Sequence, residues 1–148
     1  MKKYLIIVAA IVLLISGCGK KEDIVNKDLA QSFVDSGIFT EVLEEITPST
    51  AEIRYGLNTS DYSELTAFVG TKSNCDEVII IKTSKSEKVI SEIKEYINEK
   101  IKDYGEYRPD EVYKLTSPLI LEYNGTVVVV ISHDSKDAEA VYKEYLKS

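Results

Sequence analysis

Few residues in this sequence are placed for chemistry. His133 is the single histidine, and Asp134 and Asp137 follow it three apart, a spacing that puts both carboxylates on one side of a helix. The same residues also make a complete helix start, with Asp134 as cap and Asp137 in the first turn. Oxygen-rich cation loops take more ligands than this, and no zinc spacing exists because His133 and Cys75 stand far apart in sequence. No metal and no cofactor is expected.

Acids offer a second kind of chemistry. Glu41, Glu44 and Glu45, or Asp76 and Glu77, resemble the paired carboxylates that cleave glycosidic bonds, but such pairs need a set separation across a sugar-sized cleft. With 25 acids in 148 residues, neighbours of this kind arise from composition, and a solvated surface is the expected place for them. The G-x-S-x-G elbow and the phosphate-binding loop are missing, and no S-x-x-K stands together with its partner motifs. Cys75 stands just before an apolar strand and reads as a small buried hydrophobe; a reactive thiol would want a base beside it. No catalytic residue is assigned.

Tyrosine is over-used, with ten Tyr against three Phe and no Trp. Tyr104, Tyr107 and Tyr113 lie within ten residues, interleaved with Glu106, Arg108, Asp110 and Glu111. Amphipathic rings among charges suit a surface that recognises protein, peptide or glycan. Tyr104 and Tyr107 equally suit packing of a long helix against a sheet. Tyr104, Tyr107, Arg108 and Tyr113 are the candidate binding residues, with at least two of them expected on one surface beside the last hairpin.

The start of the chain is more specific. Lys2 and Lys3 precede Tyr4 to Ile15, an uncharged run too short to span a bilayer, which needs about 20 apolar residues. It ends in Ile15-Ser16-Gly17-Cys18, which resembles the bacterial lipobox: small residues admit the peptidase, and the Cys18 thiol accepts diacylglycerol with its palmitate-type chains. Residues 1–17 are therefore expected to be a lipoprotein signal peptide, and Cys18 a stable two-chain anchor at the extracytoplasmic face of the cell membrane. Removing 17 of the 148 residues leaves 131 and takes the net charge from −7 to −9, because Lys2 and Lys3 leave with the signal. So acidic a chain is a poor partner for nucleic acid, and the lipid rather than charge holds it to the membrane.

The elements that would position these residues follow from periodicity. Residues 18–27 read as the lipidated cysteine and a polar tether, and residues 28–148 as one domain. Asn26 is expected to cap a helix over Lys27 to Ser36 stopped by Gly37, and Pro48 to open a short helix closed by Gly56. Ile38 to Ile46 fits strand or helix. Leu65 to Gly70 and Glu77 to Thr83 are β-branched strands that should pair. Ser84 to Glu87 forms a capping box ahead of a long helix with apolar residues from Val89 to Tyr104, ending at Gly105. A short helix is expected over Pro109 to Thr116. Leu119 to Tyr123 and Thr126 to Ser132 flank Asn124-Gly125, a type I′ hairpin in which Tyr123 faces Thr126, Leu121 faces Val128 and Leu119 faces Val130. Both hairpin faces are apolar, which predicts a central place in the sheet. Asp134 caps a last helix. The fold class is α+β, with a four-stranded, mostly antiparallel sheet whose hairpins are separated by the long helix and covered by helices.

The mature chain also resembles the lipoproteins of clostridia and related Gram-positive bacteria that carry the domain of unknown function family 4358. The resemblance rests on Ile53-Arg54-Tyr55-Gly56-Leu57, Cys75-Asp76-Glu77-Val78, Tyr107-Arg108-Pro109 and the strand–turn–strand from Glu122 to Ser132. The family usually has an arginine late in the long helix, where this chain offers Lys100 or Lys102. The resemblance implies a Gram-positive envelope and a fold, and no activity. The expected function is a non-enzymatic, membrane-anchored module that binds an envelope protein or glycan; the alternative is an accessory hydrolase or metal-binding factor acting on wall material.

Overall fold

The computed structural model describes residues 23–148; the signal segment and Cys18 lie outside them. In chain order the elements are α1 (Asn26–Asp35), β1 (Glu44–Ile46), α2 (Pro48–Tyr55), a 3-10 turn (Thr59–Asp61), β2 (Glu64–Val69), β3 (Glu77–Lys82), α3 (Ser86–Tyr107), α4 (Val112–Thr116), β4 (Leu119–Tyr123), β5 (Thr126–Ile131) and α5 (Ser135–Tyr145). One sheet runs in the order β1-β2-β3-β5-β4, with every pairing antiparallel. The sheet has five strands, not four. The fifth is the three-residue β1, whose Glu45 pairs with Phe68, and it comes from the segment that fitted either strand or helix. Too short to show a period, it owes its form to the open edge of β2.

Helices cover both faces of the sheet. Ile79 and Ile81 of β3, with Val127, Val129 and Ile131 of β5, pack under α2, α3 and α4. Val78, Ile80, Val128 and Val130 point the other way, toward α1 and α5. This double burial explains why β3 and β5 read as unbroken apolar runs. The hairpin register is the expected one, and Asn124 and Gly125 both take positive φ, 48° and 74°. A Cβ on Gly125 would lie 3.1 Å from the Thr83 carbonyl, so that position needs glycine for space as well as for φ. The hairpin is central only through β5, because β4 lies at the sheet edge and is half-buried.

Three local expectations fail. Asn26 does not cap α1. It is fully buried, and its Nδ2 donates to the Ile80 carbonyl at 3.2 Å and the Glu64 carbonyl at 3.4 Å, tying the helix to β2 and β3. The capping box before α3 does not form either; Lys85 holds the cap position, and its amide donates to Thr83 Oγ1 at 2.8 Å. Finally, α3 runs past Gly105 to Tyr107, and α4 starts only at Val112 after a turn through Arg108–Glu111. The rings of Tyr104 and Tyr107 hold that last turn, since both hydroxyls donate to the Lys72 carbonyl.

Candidate functional site

The alternation that sends Ile79 and Ile81 toward α3 also sends Glu77 there. Glu77 has no exposed surface and is held by four donors. Arg54 Nε donates to Oε1 at 2.7 Å and the Tyr55 hydroxyl to the same oxygen at 2.6 Å. The Tyr96 hydroxyl donates to Oε2 at 2.9 Å and Lys100 Nζ at 3.0 Å. Arg54 and Tyr55 come from the last turn of α2. Tyr96 and Lys100 are four apart on α3, hence on one face. The Tyr55 and Tyr96 rings meet edge to face at 5.0 Å, and Lys100 Nζ lies 5.5 Å from the Tyr96 ring centre and 5.4 Å from that of Tyr104.

The electrostatics follow from burial and charge. Burial would raise the Glu77 carboxyl, but Lys100, Arg54 and the Tyr55 hydroxyl together outweigh it and hold it below its ordinary value. Burial and the Glu77 charge push the Tyr55 and Tyr96 hydroxyls up, so both stay protonated donors. With two donors on each oxygen, Glu77 is an ionised anchor and has no vacant lone pair with which to act as a base.

An open cleft of about 360 Å³ lies above this anchor. Arg54 of α2, with Tyr96, Lys100, Tyr104 and Tyr107 of α3, forms one side, and Gly70, Thr71 and Lys72 of the β2–β3 loop form the other. Glu99 and Asp103, also of α3, stand on its wall.

A second polar cluster bolts the start of β3 to α4. Lys114 Nζ sits 2.9 Å from both Asp76 Oδ1 and Glu111 Oε2, and Thr40 donates to Asp76 Oδ2 from its amide and its hydroxyl, each at 2.7 Å. Cys75 is buried here, its amide donating to Glu111 Oε2 at 3.2 Å and its Sγ 3.4 Å from the Glu111 carbonyl. Burial pushes the Cys75 thiol up to about 12, which agrees with the small buried hydrophobe read from its position.

Of the four tyrosine-region residues, two meet in the cleft. Tyr104 is buried, its hydroxyl shared between the carbonyls of Lys72 and Asn74, both at 3.1 Å. Tyr107 is 55% exposed, with its ring centre 5.0 Å from that of Tyr104. Arg108 turns away to grip Asp110 with two bonds of 3.0 and 2.9 Å. Tyr113 meets His133 instead, its hydroxyl 2.6 Å from Nδ1. Asp134 caps α5 by accepting from the Lys136 amide at 2.8 Å, and among the described residues no group of three or more His, Cys, Asp or Glu is arranged to hold a metal.

The carboxylates Asp76 and Glu77 are not solvated surface, as composition suggested, but 1% and 0% exposed. The signal was present in the sequence: an acid at the inward-facing position of an otherwise apolar strand, with Arg54-Tyr55 on one helix and Tyr96/Lys100 at helical spacing on another.

Fold and site together define a single-sheet α+β domain with a buried, fully donated carboxylate beneath an open polar cleft. The family model described as "Domain of unknown function (DUF4358)" matches residues 38–133, and the chain belongs to that family. All the cleft residues fall inside the matched span, whereas α1 and α5 fall outside it. No curated protein and no solved structure matches the chain.

Proposed function

We propose that this protein is an exported lipoprotein of a Gram-positive envelope, held at the outer face of the cell membrane by lipid on Cys18, and that it is a non-enzymatic binding module whose ligand surface is the cleft between α3 and the β2–β3 loop. The observation that supports it most is the cleft itself: an open space of about 360 Å³ with the exposed Tyr107 ring and Lys72 at its mouth, over a floor made rigid by Glu77. Two groups near the cleft that could do covalent chemistry are already committed. Glu77 is saturated with donors, and the Cys75 thiol is buried with its pKa raised.

The point where the chain enters the domain supports the same reading. Ile24 is buried against α1 and α5, and the Val25 amide donates to the Tyr145 hydroxyl at 3.2 Å. Cys18 is five residues before Asp23, a reach of at most about 18 Å. An anchor on Cys18 keeps the α1–α5 layer toward the bilayer and turns the cleft, on the opposite layer, outward. The alternative, an accessory hydrolase on wall material, would draw on Glu99 and Asp103, four apart on the cleft wall.

Crosslinking in intact cells followed by mass spectrometry tests the proposal. The double change Lys72→Ala and Tyr107→Ala should abolish the partner's crosslinks while the melting temperature stays within a few degrees. Undiminished crosslinks in that variant would refute the cleft as the binding surface. Release of shortened wall fragments by the purified protein, lost on Glu99→Gln, would favour the hydrolase.

A further inference from the structure

Resting on that reading, we infer that the cleft takes a carboxylate, carried on a body rich in hydrogen-bond donors, with Arg54 and Lys72 as its clamps. Two cations, Arg54 and Lys100, converge on the single charge of Glu77, leaving one positive charge in excess at the floor of the cleft. Lys100 is 8% exposed and engaged with Glu77. Arg54 is different. Its side chain is 34% exposed, it borders the cleft, and it meets Glu77 through Nε, with its guanidinium carbon 5.5 Å from the centre of the Tyr96 ring. A guanidinium anchored in this way presents a rigid fork, the geometry that grips a carboxylate with two parallel bonds. Glu77 cannot satisfy the fork, since both its oxygens already hold two donors.

Lys72, on the facing loop, forms no ion pair among the described residues and supplies a second cation at the mouth. The acids set the limit on ligand charge. Glu99 and Asp103 on the cleft wall would repel a phosphate dianion, yet they accept hydrogen bonds from hydroxyl, amide or ammonium groups. The ligand that suits all of these groups is a single carboxylate attached to such donors, with a flat or ring-shaped part against Tyr107. Two sources carry this chemistry, a sugar acid and a peptide C-terminus.

The test titrates the full chain, isotope-labelled and solubilised in detergent micelles, with N-acetylmuramic acid and with N-acetyl-alanyl-alanine, each beside its uncharged form, the methyl ester or the C-terminal amide. The expected result is saturable shifts of the Lys72, Tyr107 and Arg54 resonances with at least one acid, and at least tenfold weaker binding of its uncharged form; which acid binds identifies the source. Arg54→Lys, which keeps the charge but loses the fork, should weaken binding at least tenfold. Lys72→Ala, outside the Glu77 network, should weaken it severalfold with the melting temperature unchanged, so the test survives if Arg54→Lys fails to fold. Equal binding of charged and uncharged forms, no binding of either acid, or undiminished binding by folded Lys72→Ala overturns the inference. If crosslinks that depend on Tyr107 persist while no carboxylate binds, the ligand class falls and the binding-module reading stands.

Discussion

Replacing Glu77 by Gln leaves shape unchanged and removes one charge. Arg54 and Lys100 then face each other with no anion between them, and the new amide turns a donor toward tyrosine hydroxyls and cations that are themselves donors. Removing one partner of a buried ion pair costs roughly 3–5 kcal/mol. Arg54 is 34% exposed and water relieves part of its charge, which places the expected loss near the lower end, about 3 kcal/mol. For a domain of this size that is a fall in melting temperature on the order of 10 °C, read by circular dichroism at pH 7. Adding Lys100→Met to the variant should recover part of the loss, because removing the excess cation is less harmful than leaving it buried alone. The acid limb gives a second readout. The Glu77 carboxyl lies below its ordinary 4.5 in the folded protein, so on acidification the unfolded chain binds the proton first. Its contribution is therefore full at neutral pH and is lost as pH falls below about 4.5. Glu77→Gln should flatten that limb, with a residual slope from Glu111 and Asp61, which are also held low. A variant that melts within 2 °C of the parent with an unchanged acid limb would refute the buried-anchor account.

Cys18→Ala should leave protein that is unprocessed or shed, measured by palmitate labelling and detergent partition; wild-type partition would contradict the lipid anchor. Cys75, buried and with its thiol pushed up to about 12, should resist a disulfide reagent at pH 8 until the domain is unfolded; rapid reaction of the native protein would show an exposed thiol. Gly125→Ala should cost about 1–2 kcal/mol, from positive φ and the close approach to the Thr83 carbonyl, seen as a lower denaturant midpoint; an unchanged midpoint would show that the turn adjusts freely.

Where the pattern is local and long, the fold could be read from the sequence. The Asn124-Gly125 turn fixes its own φ requirements, and its two-residue length fixes the register of β4 on β5. The apolar stripe of α3 recurs over several turns. Several of the misreadings share one cause, the need of a polar group for a partner distant in sequence. Asn26 has the side chain of a helix cap, but the carbonyls of Glu64 and Ile80 claim it. Gly105 has the look of a helix stop, but the Lys72 carbonyl, more than thirty residues away, holds the tyrosines on either side of it. Half of the tyrosine cluster belongs to the cleft, and the other half is divided between Asp110 and His133. Glu77 read as solvated surface because an acid in an acidic chain looks like surface until its four donors, from two helices, are brought to it.

On the proposed reading, the face bearing Tyr107 is where this domain meets its partner. A photo-crosslinking amino acid placed singly at Tyr107, at Lys72 or at Lys136, the last in the opposite layer, and activated in intact cells measures this directly. One discrete adduct, shared by the Tyr107 and Lys72 positions and not formed from Lys136, is the expected result. The same adduct from all three positions, or an adduct from Lys136 alone, would contradict it.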